Sequence, residues 1–432
     1  MEKLGVKKSG VLAVLLIALF VTSVFSVFSI TTNAVKPVIV KIGVISPMDD
    51  FIPGLTALYG TIVGPDINAY VAKLPADRFN PPVKFEFDIV STDGSADAHL
   101  AQLVKFHKEG VNLIIGGMFS SQIDQRNLDY LKNNNMVMIS PFSNSPDLAK
   151  VDNLFRMLPD ASSEGVIVAA MFAKLGLNNA IVLERNDGFG SGVYNAFKSA
   201  FTGTGTVYTY TFTPLDTTDF ANKLATANTQ AKSLTSVGVF LIAIDNDCAD
   251  QLNRDDFATA YPYLGGLPWF GTDGTSFSSI LTGTNVGKLK LLTPSPATPH
   301  NTKFDEMNTR YTNAMGYPMD FSGACLIDAG WMLAQAVIET RPTSIWYTPG
   351  ANDVKKVLLD DSSRYFGYSG WCQLNRYGDR VSGNNWDIWG YGLSTDVPPV
   401  LITPQYGSYS YSGIGSKTDP STISWIITPT WP

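Results

Sequence analysis

Four short stretches place groups that could hold a small charged molecule at the ends of apolar runs. Ser120-Ser121 follows Ile114-Ile115-Gly116-Gly117-Met118-Phe119, and Phe142-Ser143-Asn144-Ser145 follows Met138-Ile139-Ser140-Pro141. Further along, Asn186-Asp187-Gly188-Phe189-Gly190 follows the run through Leu183, and Thr272-Asp273-Gly274 follows Trp269-Phe270-Gly271. A serine hydroxyl with loop amides at a helix start suits an anion. A carboxylate at a strand end, facing a second polar loop, is what an ammonium requires. Plainer roles fit the same residues: Ser120 as a helix N-cap, Asn144 as a turn residue before Pro146, Asp273-Gly274 as a β-turn, and Phe189 as a packing aromatic.

Reaction chemistry is poorly served by comparison. His99, His107 and His300 are the only histidines, and the first two stand eight apart rather than the four that would let one helix chelate a metal. Neither HExxH nor GxSxG occurs, and no pair of acids at matched spacing calls for a hydrolase. Gly188-Phe189-Gly190-Ser191-Gly192 has the look of a phosphate loop, but no Gly-Lys-Ser/Thr follows, so a helix-entry turn is expected. Asp245, Asp247 and Asp250 fit no EF-hand spacing. They read as a solvated helix start, where acids suit the dipole, with Asp245 able to face a cleft. The expectation is a non-enzyme without cofactor or metal. Cys248, Cys325 and Cys372 are odd in number, with no CxxC, and read as packed free thiols.

The elements that must position these groups alternate along the chain. Strands are predicted over Val38 to Ile45, Lys84 to Ser91, Val111 to Ile115 and Met136 to Ile139, with helices over Ala96 to Glu109 and Gln122 to Lys132. After Phe155-Arg156-Met157-Leu158-Pro159 the alternation restarts with a helix at Ser162 to Leu175. Strands at Ala180 to Glu184, Thr206 to Phe212, Val237 to Ile244 and Pro268 to Gly271 then alternate with helices at Ser191 to Phe201, Asp219 to Thr229 and near Asp250 to Ala260. Such βαβ alternation builds parallel sheets, whose ligand crevice lies outside the carboxyl ends of the strands. A Pro-rich crossing, Thr293-Pro294-Ser295-Pro296, leads to helical stretches Thr302 to Met315 and Ser322 to Thr340 and a β-like stretch from Phe366 to Tyr391. Beyond about Thr395 the chain is rich in Pro, Ser, Gly and Tyr without periodicity, and reads as an extended tail.

The N-terminus carries Lys3, Lys7 and Lys8, an apolar run from Val11 to Ile30, and the small polar stretch Thr31-Thr32-Asn33-Ala34. That is the layout of a secretory signal cleaved after Ala34. The run is also near the roughly 20 apolar residues that span a bilayer, so a retained anchor through residues 11–30 is the alternative. At 432 residues and 45% hydrophobic content the chain can bury two cores. Its formal charge is -7, and removing the first 34 residues, whose net charge is +2, leaves -9. An acidic body without a basic run excludes nucleic acid as the expected partner.

Taken in order, these junctions resemble the branched-chain amino-acid (Leu/Ile/Val-binding) substrate-binding proteins of ABC transporters, a type I periplasmic binding-protein family. The resemblance runs from about Val38 to Tyr391. It is carried by Ile115-Gly116-Gly117-Met118-Phe119-Ser120-Ser121, Met138-Ile139-Ser140-Pro141-Phe142-Ser143-Asn144-Ser145-Pro146, Phe270-Gly271-Thr272-Asp273-Gly274 and the turn Gly378-Asp379-Arg380-Val381. It implies two doubly wound α/β lobes with parallel sheets joined by three crossovers, near Pro159, Pro296 and Asn384. Lobe 1 would hold residues 37–159 and 297–384, lobe 2 residues 160–296 and 385–395, with residues 396–432 as the tail. It also implies a ligand site: Tyr59 as the aromatic that closes over the ligand, Ser120 on its carboxylate, Phe142 and Asn144 in the Ser-Pro loop, Phe189 from the second lobe, and Asp273 on its ammonium. Asn144 stands where the family has Thr, Phe189 where Tyr is common, and Asp273 is a shorter acid than Glu. The departures at Phe142, Asn144 and Phe189 are enough to change side-chain selectivity while leaving the amino-acid frame, and the shorter Asp273 implies a longer or water-bridged pair with the ammonium.

The expected function is therefore an exported, extracytoplasmic receptor that binds an amino acid or amide-like solute between two lobes and delivers it to ABC permease subunits. A sensory-receptor ectodomain of the same fold is the alternative, and an adhesive surface protein a third. The Pro-rich end at Trp431-Pro432, with no membrane span or kinase-like region, favours transport.

Overall fold

The computed structural model describes residues 36–75, 82–276, 278–299, 301–340, 351–381, 385–410 and 423–431. The expected signal or anchor at 1–34, His300, the crossing at Asn384 and the stretch 411–422 lie outside them.

Two sheets organise the chain. In the first, β1 (Val38–Ser46) lies parallel between β2 (Val83–Ser91) and β3 (Leu113–Ile115), followed by β4 (Val137–Ser140), β5 (Leu154–Pro159) and, from far along the chain, the short β13 (Asp379–Arg380). In the second, β6 (Asn179–Arg185) lies between β7 (Val207–Phe212) and β8 (Val237–Ile242), followed by β9 (Trp269–Phe270), β10 (Leu292–Pro296) and β14 (Asn385–Gly390). Two small antiparallel pairs, β11 (Phe366–Gly367) with β12 (Gly370–Trp371) and β15 (Gly392–Leu393) with β16 (Leu401–Ile402), decorate the surface. Both large sheets thus share the order 2-1-3-4-5 in their parallel part, the doubly wound arrangement with a crevice at the switch point. The chain passes from one sheet to the other after Pro159, after Pro296 and between Arg380 and Asn385.

Both faces of each sheet are covered, which is why the central strands are apolar without alternation. On β3 and β4, Leu113, Ile115, Val137 and Ile139 join one core, whereas Ile114 and Met138 join the other. The second sheet divides in the same way: Ile181, Leu183, Val239 and Leu241 face one layer, and Val182, Phe240 and Ile242 the opposite one. Each fully buried Val, Leu, Ile or Phe contributes roughly 1.5–3 kcal/mol. Short polar side chains stop the loops and start the helices: Ser95, Asp124, Asp187, Asp216 and Asn301 each accept a backbone amide from the first turn. The helix Phe321–Thr340 is long and apolar enough to cross a membrane, yet it is the buried core helix of the first lobe.

Several expectations need correction. Thr293-Pro294-Ser295-Pro296 is not a bare crossing but the body of β10, paired antiparallel with β14 from Leu292 to Pro296. Its neighbour β9 bonds it only at Leu292, as suits a strand whose prolines have no N–H. The stretch beyond Thr395 is not simply an extended tail. Within it β17 (Gln405–Ser410) pairs with β14, and β18 (Ile423–Trp425) with β17, extending the second sheet to eight strands. Tyr406, Tyr409 and Ile423 are buried against helix Ser162–Lys174 and its neighbours, so burial rather than alternation holds these strands. The helical run Ile52–Ala57, Leu58–Val63 and Gly64–Val71, and the helix Ala351–Ser362, complete the first lobe.

Candidate functional site

Loops at the carboxyl ends of β1, β3 and β4 face loops from β6, β8 and β9 across a cleft of about 570 Å³. Each wall is built by hydrogen bonds that fix the loops before any ligand arrives.

On the first wall, Gly117 has φ +60°, a left-handed conformation in which glycine carries no steric penalty. Its N–H donates to His99 Nε2 at 2.9 Å, which makes Nδ1 the protonated nitrogen and lets it donate to Asn127 Oδ1 at 2.9 Å. Burial lowers the pKa of this imidazole and keeps it neutral, so His99 is a structural pin under the glycine turn. Ser140 Oγ donates to Gly117 O at 2.7 Å and accepts from Ser143 N at 2.9 Å, tying the two loops together. Ser120 Oγ lies 2.9 Å from Ser143 Oγ and accepts from Ser145 N at 3.3 Å. It opens the 3-10 turn Ser120–Gln122, whose first amides have no partner within the turn. Behind the loop, Arg156 is fully buried; its Nη1 donates to Ser145 O and its Nε to Asp379 Oδ1 at 2.6 Å. The Gly378-Asp379-Arg380-Val381 turn therefore serves the site from behind. Arg380 itself donates to Ser369 O, Trp371 O and Met157 O, anchoring β13.

On the second wall, the guanidinium of Arg185 donates through Nη1 to both oxygens of Asp247, at 2.8 and 2.6 Å, and through Nε to Asp187 Oδ2 at 2.6 Å. Asp247 is not part of a solvated helix start. It is 1% exposed, caps the helix Asp245–Leu252 by accepting from Ile244 N, and neutralises Arg185. Asp245 does face the cleft, where its carboxylate accepts from Ser278 Oγ at 2.6 Å, and Asp250 is exposed. Among the described residues no group of histidine, cysteine or acidic side chains is arranged to hold a metal ion, and all three cysteines are buried free thiols.

The walls meet at Asp273. Asn144 Nδ2, from the first lobe, donates to Asp273 Oδ2 at 2.9 Å and to Glu164 Oε1 at 3.3 Å. Glu164 Oε2 in turn accepts from Asp273 N at 2.7 Å. Burial, then the neighbouring Asp273 charge, raises the Glu164 carboxyl well above the carboxylate range. Burial likewise pushes Asp273 up to about 6, opposed by hydrogen bonds from Glu164, Gly274 and Asn144. Two carboxyls this close cannot both ionise at little cost, so the pair favours holding one proton, with Glu164 the more strongly raised of the two.

Of the residues expected from sequence, Ser120, Phe142, Asn144, Phe189 and Asp273 all line this cleft. Tyr59 does not. It sits in the π-helical turn Leu58–Val63, 1% exposed, stacked on Phe87 at 4.7 Å, with its hydroxyl donating to Leu326 O at 2.8 Å. The first βα loop ends earlier, and Phe51 is the aromatic it offers to the cleft, edge-on to Phe119 at 6.3 Å. Glu164 and Arg185 join the site as well. Glu164 and Arg185 read as a first-turn acid and a strand-end base, and only pairing across the fold shows their parts.

Closure between the lobes is visible elsewhere too. Helix Gly188–Ala200 packs on the loop at Pro146–Leu148 of the other lobe. A β-carbon at Gly192 would stand 2.5 Å from Pro146 Cγ, and one at Gly188 2.6 Å from Asp147 Oδ2. The glycine-rich turn thus admits the opposite lobe, with Asp187 as its N-cap.

Comparison with known proteins gives a match to the family described as receptor family ligand binding region, over residues 71–393. An uncharacterized protein of Methanocaldococcus jannaschii is 23% identical over 382 residues, covering 82% of this chain and 87% of that one. Among solved structures, the leucine binding protein LivK of Thermotoga maritima has a TM-score of 0.63 at 17% identity, covering 86% of this chain and 99% of its own. An ABC transporter substrate-binding protein of Desulfitobacterium hafniense scores 0.61 at 19% identity, with 85% and 100% covered. A solute binding protein of an ABC transporter from R. palustris, in complex with benzoate, scores 0.60 at 15% identity, with 88% and 100% covered.

Proposed function

This chain belongs to the receptor family ligand binding region, and from that premise we propose that it is an exported solute-binding protein of an ABC importer that takes a zwitterionic amino acid or a close amide between its lobes. The observation that carries this reading is the convergence on one cleft of five residues, from both lobes, joined across it by the Asn144 to Asp273 hydrogen bond. The solute carboxylate would meet Ser120 and the amides of its turn, and the ammonium would meet Asp273. Asp50, Asp187, Asp245 and Asp273 line the cleft against a single arginine already held by Asp187 and Asp247, so the lining favours a group that brings positive charge.

The lobes are taken as residues 37–159 with 297–384, and 160–296 with the segment from 385 onward, moving about the three crossovers. Contacts from both walls exist together only when the lobes are shut, so binding shifts the population toward closure. Similarity to substrate-binding proteins of ABC transporters supports delivery to a permease and a site outside the cytoplasm, and the N-terminal segment would direct export or tether the protein to the membrane. Binding and release through such a hinge need no catalytic group.

Isothermal titration with a panel of amino acids, short amides and monocarboxylates tests the reading. Zwitterions should bind, monocarboxylates bind more weakly, and Asp273→Ala should abolish the difference. Equal affinity for amines and carboxylates, or none for any of them, would overturn it.

A further inference from the structure

We propose that the solute bound here carries an apolar end longer than that of an aliphatic amino acid, housed in a second recess beside the cleft; this rests on the solute-binding reading above. The recess, about 250 Å³, lies in the first lobe between the helical run from Ile52 and the helices around Tyr311 and Phe321. Its wall is mostly apolar, with Leu55, Leu58, Met315 and Leu326, and also includes Tyr317 and Asp320. Phe51 and Phe142, with Asp50 and Ser322 beside them, line both the recess and the cleft, so the two spaces adjoin across a pair of aromatic rings.

Three features argue that this space receives part of a ligand. The recess adds about 250 Å³ to a cleft of about 570 Å³ through lining residues that the two share, and Asp273 lines the cleft but not the recess. Phe51 lines both spaces and is 36% exposed, so it offers apolar surface where they join. Finally, Gly54 lines the recess without a side chain, and a β-carbon there would meet only the flexible end of Met315, at 2.9 Å from Cε. An ammonium on Asp273, a carboxylate on Ser120 and an aliphatic or aromatic chain running past Phe51 and Phe142 would fill both spaces.

The test is titration of the protein with straight-chain 2-amino acids from norvaline to 2-aminodecanoic acid. Affinity should rise about fourfold per added methylene, the value for burying one CH₂, and continue rising beyond the length of leucine. In Gly54→Leu, whose side chain enters the recess wall beside Met315, norvaline should bind unchanged while the rise with length disappears. Met315→Trp should do the same from the end of the helix Thr302–Met315. Affinity that peaks at leucine length in the unaltered protein, or a rise that persists in both variants, would overturn the recess while leaving the cleft intact. Failure of every member of the series to bind would overturn the cleft reading and the recess with it.

Discussion

Asn144 Nδ2 donates to Asp273 Oδ2 at 2.9 Å, so the polar loop of one lobe is hydrogen-bonded to the acid that ends a strand in the other. The same amide reaches Glu164 at 3.3 Å. One neutral donor therefore bridges two acids, and the lobes are held shut by a contact that a ligand ammonium could share.

The bridge should show as non-additivity. Asn144→Ala and Asp273→Ala, alone and together, should give a coupling of about 0.5–3 kcal/mol in the denaturant unfolding of the ligand-free protein, as for residues in one hydrogen-bond network. Additivity within a few tenths of a kcal/mol would mean that the lobes do not touch there in solution.

Protonation should govern affinity. Asp273 is raised to about 6, and an ammonium favours its ionised form, so affinity should be level above about pH 6 and fall roughly tenfold per unit below it. Titrations from pH 4.5 to 8 measure this; a flat profile would separate the ammonium from Asp273.

Stability should depend on pH in the opposite sense. A carboxyl whose folded pKa is raised contributes stability below its unfolded value that is lost as pH rises through the folded one. With Asp273 raised to about 6 and Glu164 raised further, the ligand-free protein should lose stability from about pH 4 upward through pH 6 and beyond. Glu164→Gln keeps the shape and removes an ionisable group, so it should weaken this dependence. An unchanged melting profile between pH 5 and 8 in the variant would contradict it.

Closure should fail when the glycine face is filled. In Gly192→Leu the new side chain meets Pro146, whose nearest atom lies 2.5 Å from the β-carbon position. The variant should keep its secondary structure, show a larger radius of gyration in small-angle scattering with and without ligand, and bind more weakly.

Asp379→Ala should reach the site from behind. Arg156 is buried and would keep only the more distant Asp160, at 3.9 Å, so the loss should approach the roughly 3–5 kcal/mol of an unpaired buried charge. Because Arg156 also holds Ser145 O, ligand affinity should drop together with stability, whereas Arg156→Met with Asp379→Leu should recover much of the stability.

The sequence by itself determined the alternation of strands and helices, its restart after Pro159, and the positions where loops leave the sheets. These are local properties, because runs such as Val137–Ser140 are apolar on both faces and their helices open on short polar caps. Five residues of the cleft lie in the junctions that rule marked, two to five positions past a strand end, and the family resemblance singled them out within those junctions. Tertiary structure decided the rest. Tyr59 and Phe51 both lie near the first loop, and only the start of the helix at Ile52 turns one ring into the core and leaves the other at the cleft. Arg185 and Asp247 are 62 positions apart, and Asn144 and Asp273 are 129 apart. Pairs so separated leave no periodic trace in either segment. The strands Gln405–Ser410 and Ile423–Trp425 were hidden for the same reason: their Tyr- and Ser-rich composition forms strands only where β14 offers an open edge and the second lobe a surface to bury Tyr406 and Tyr409. Local pattern places groups at the mouth of a cleft, whereas their charge state and their partners depend on which distant side chains are buried beside them.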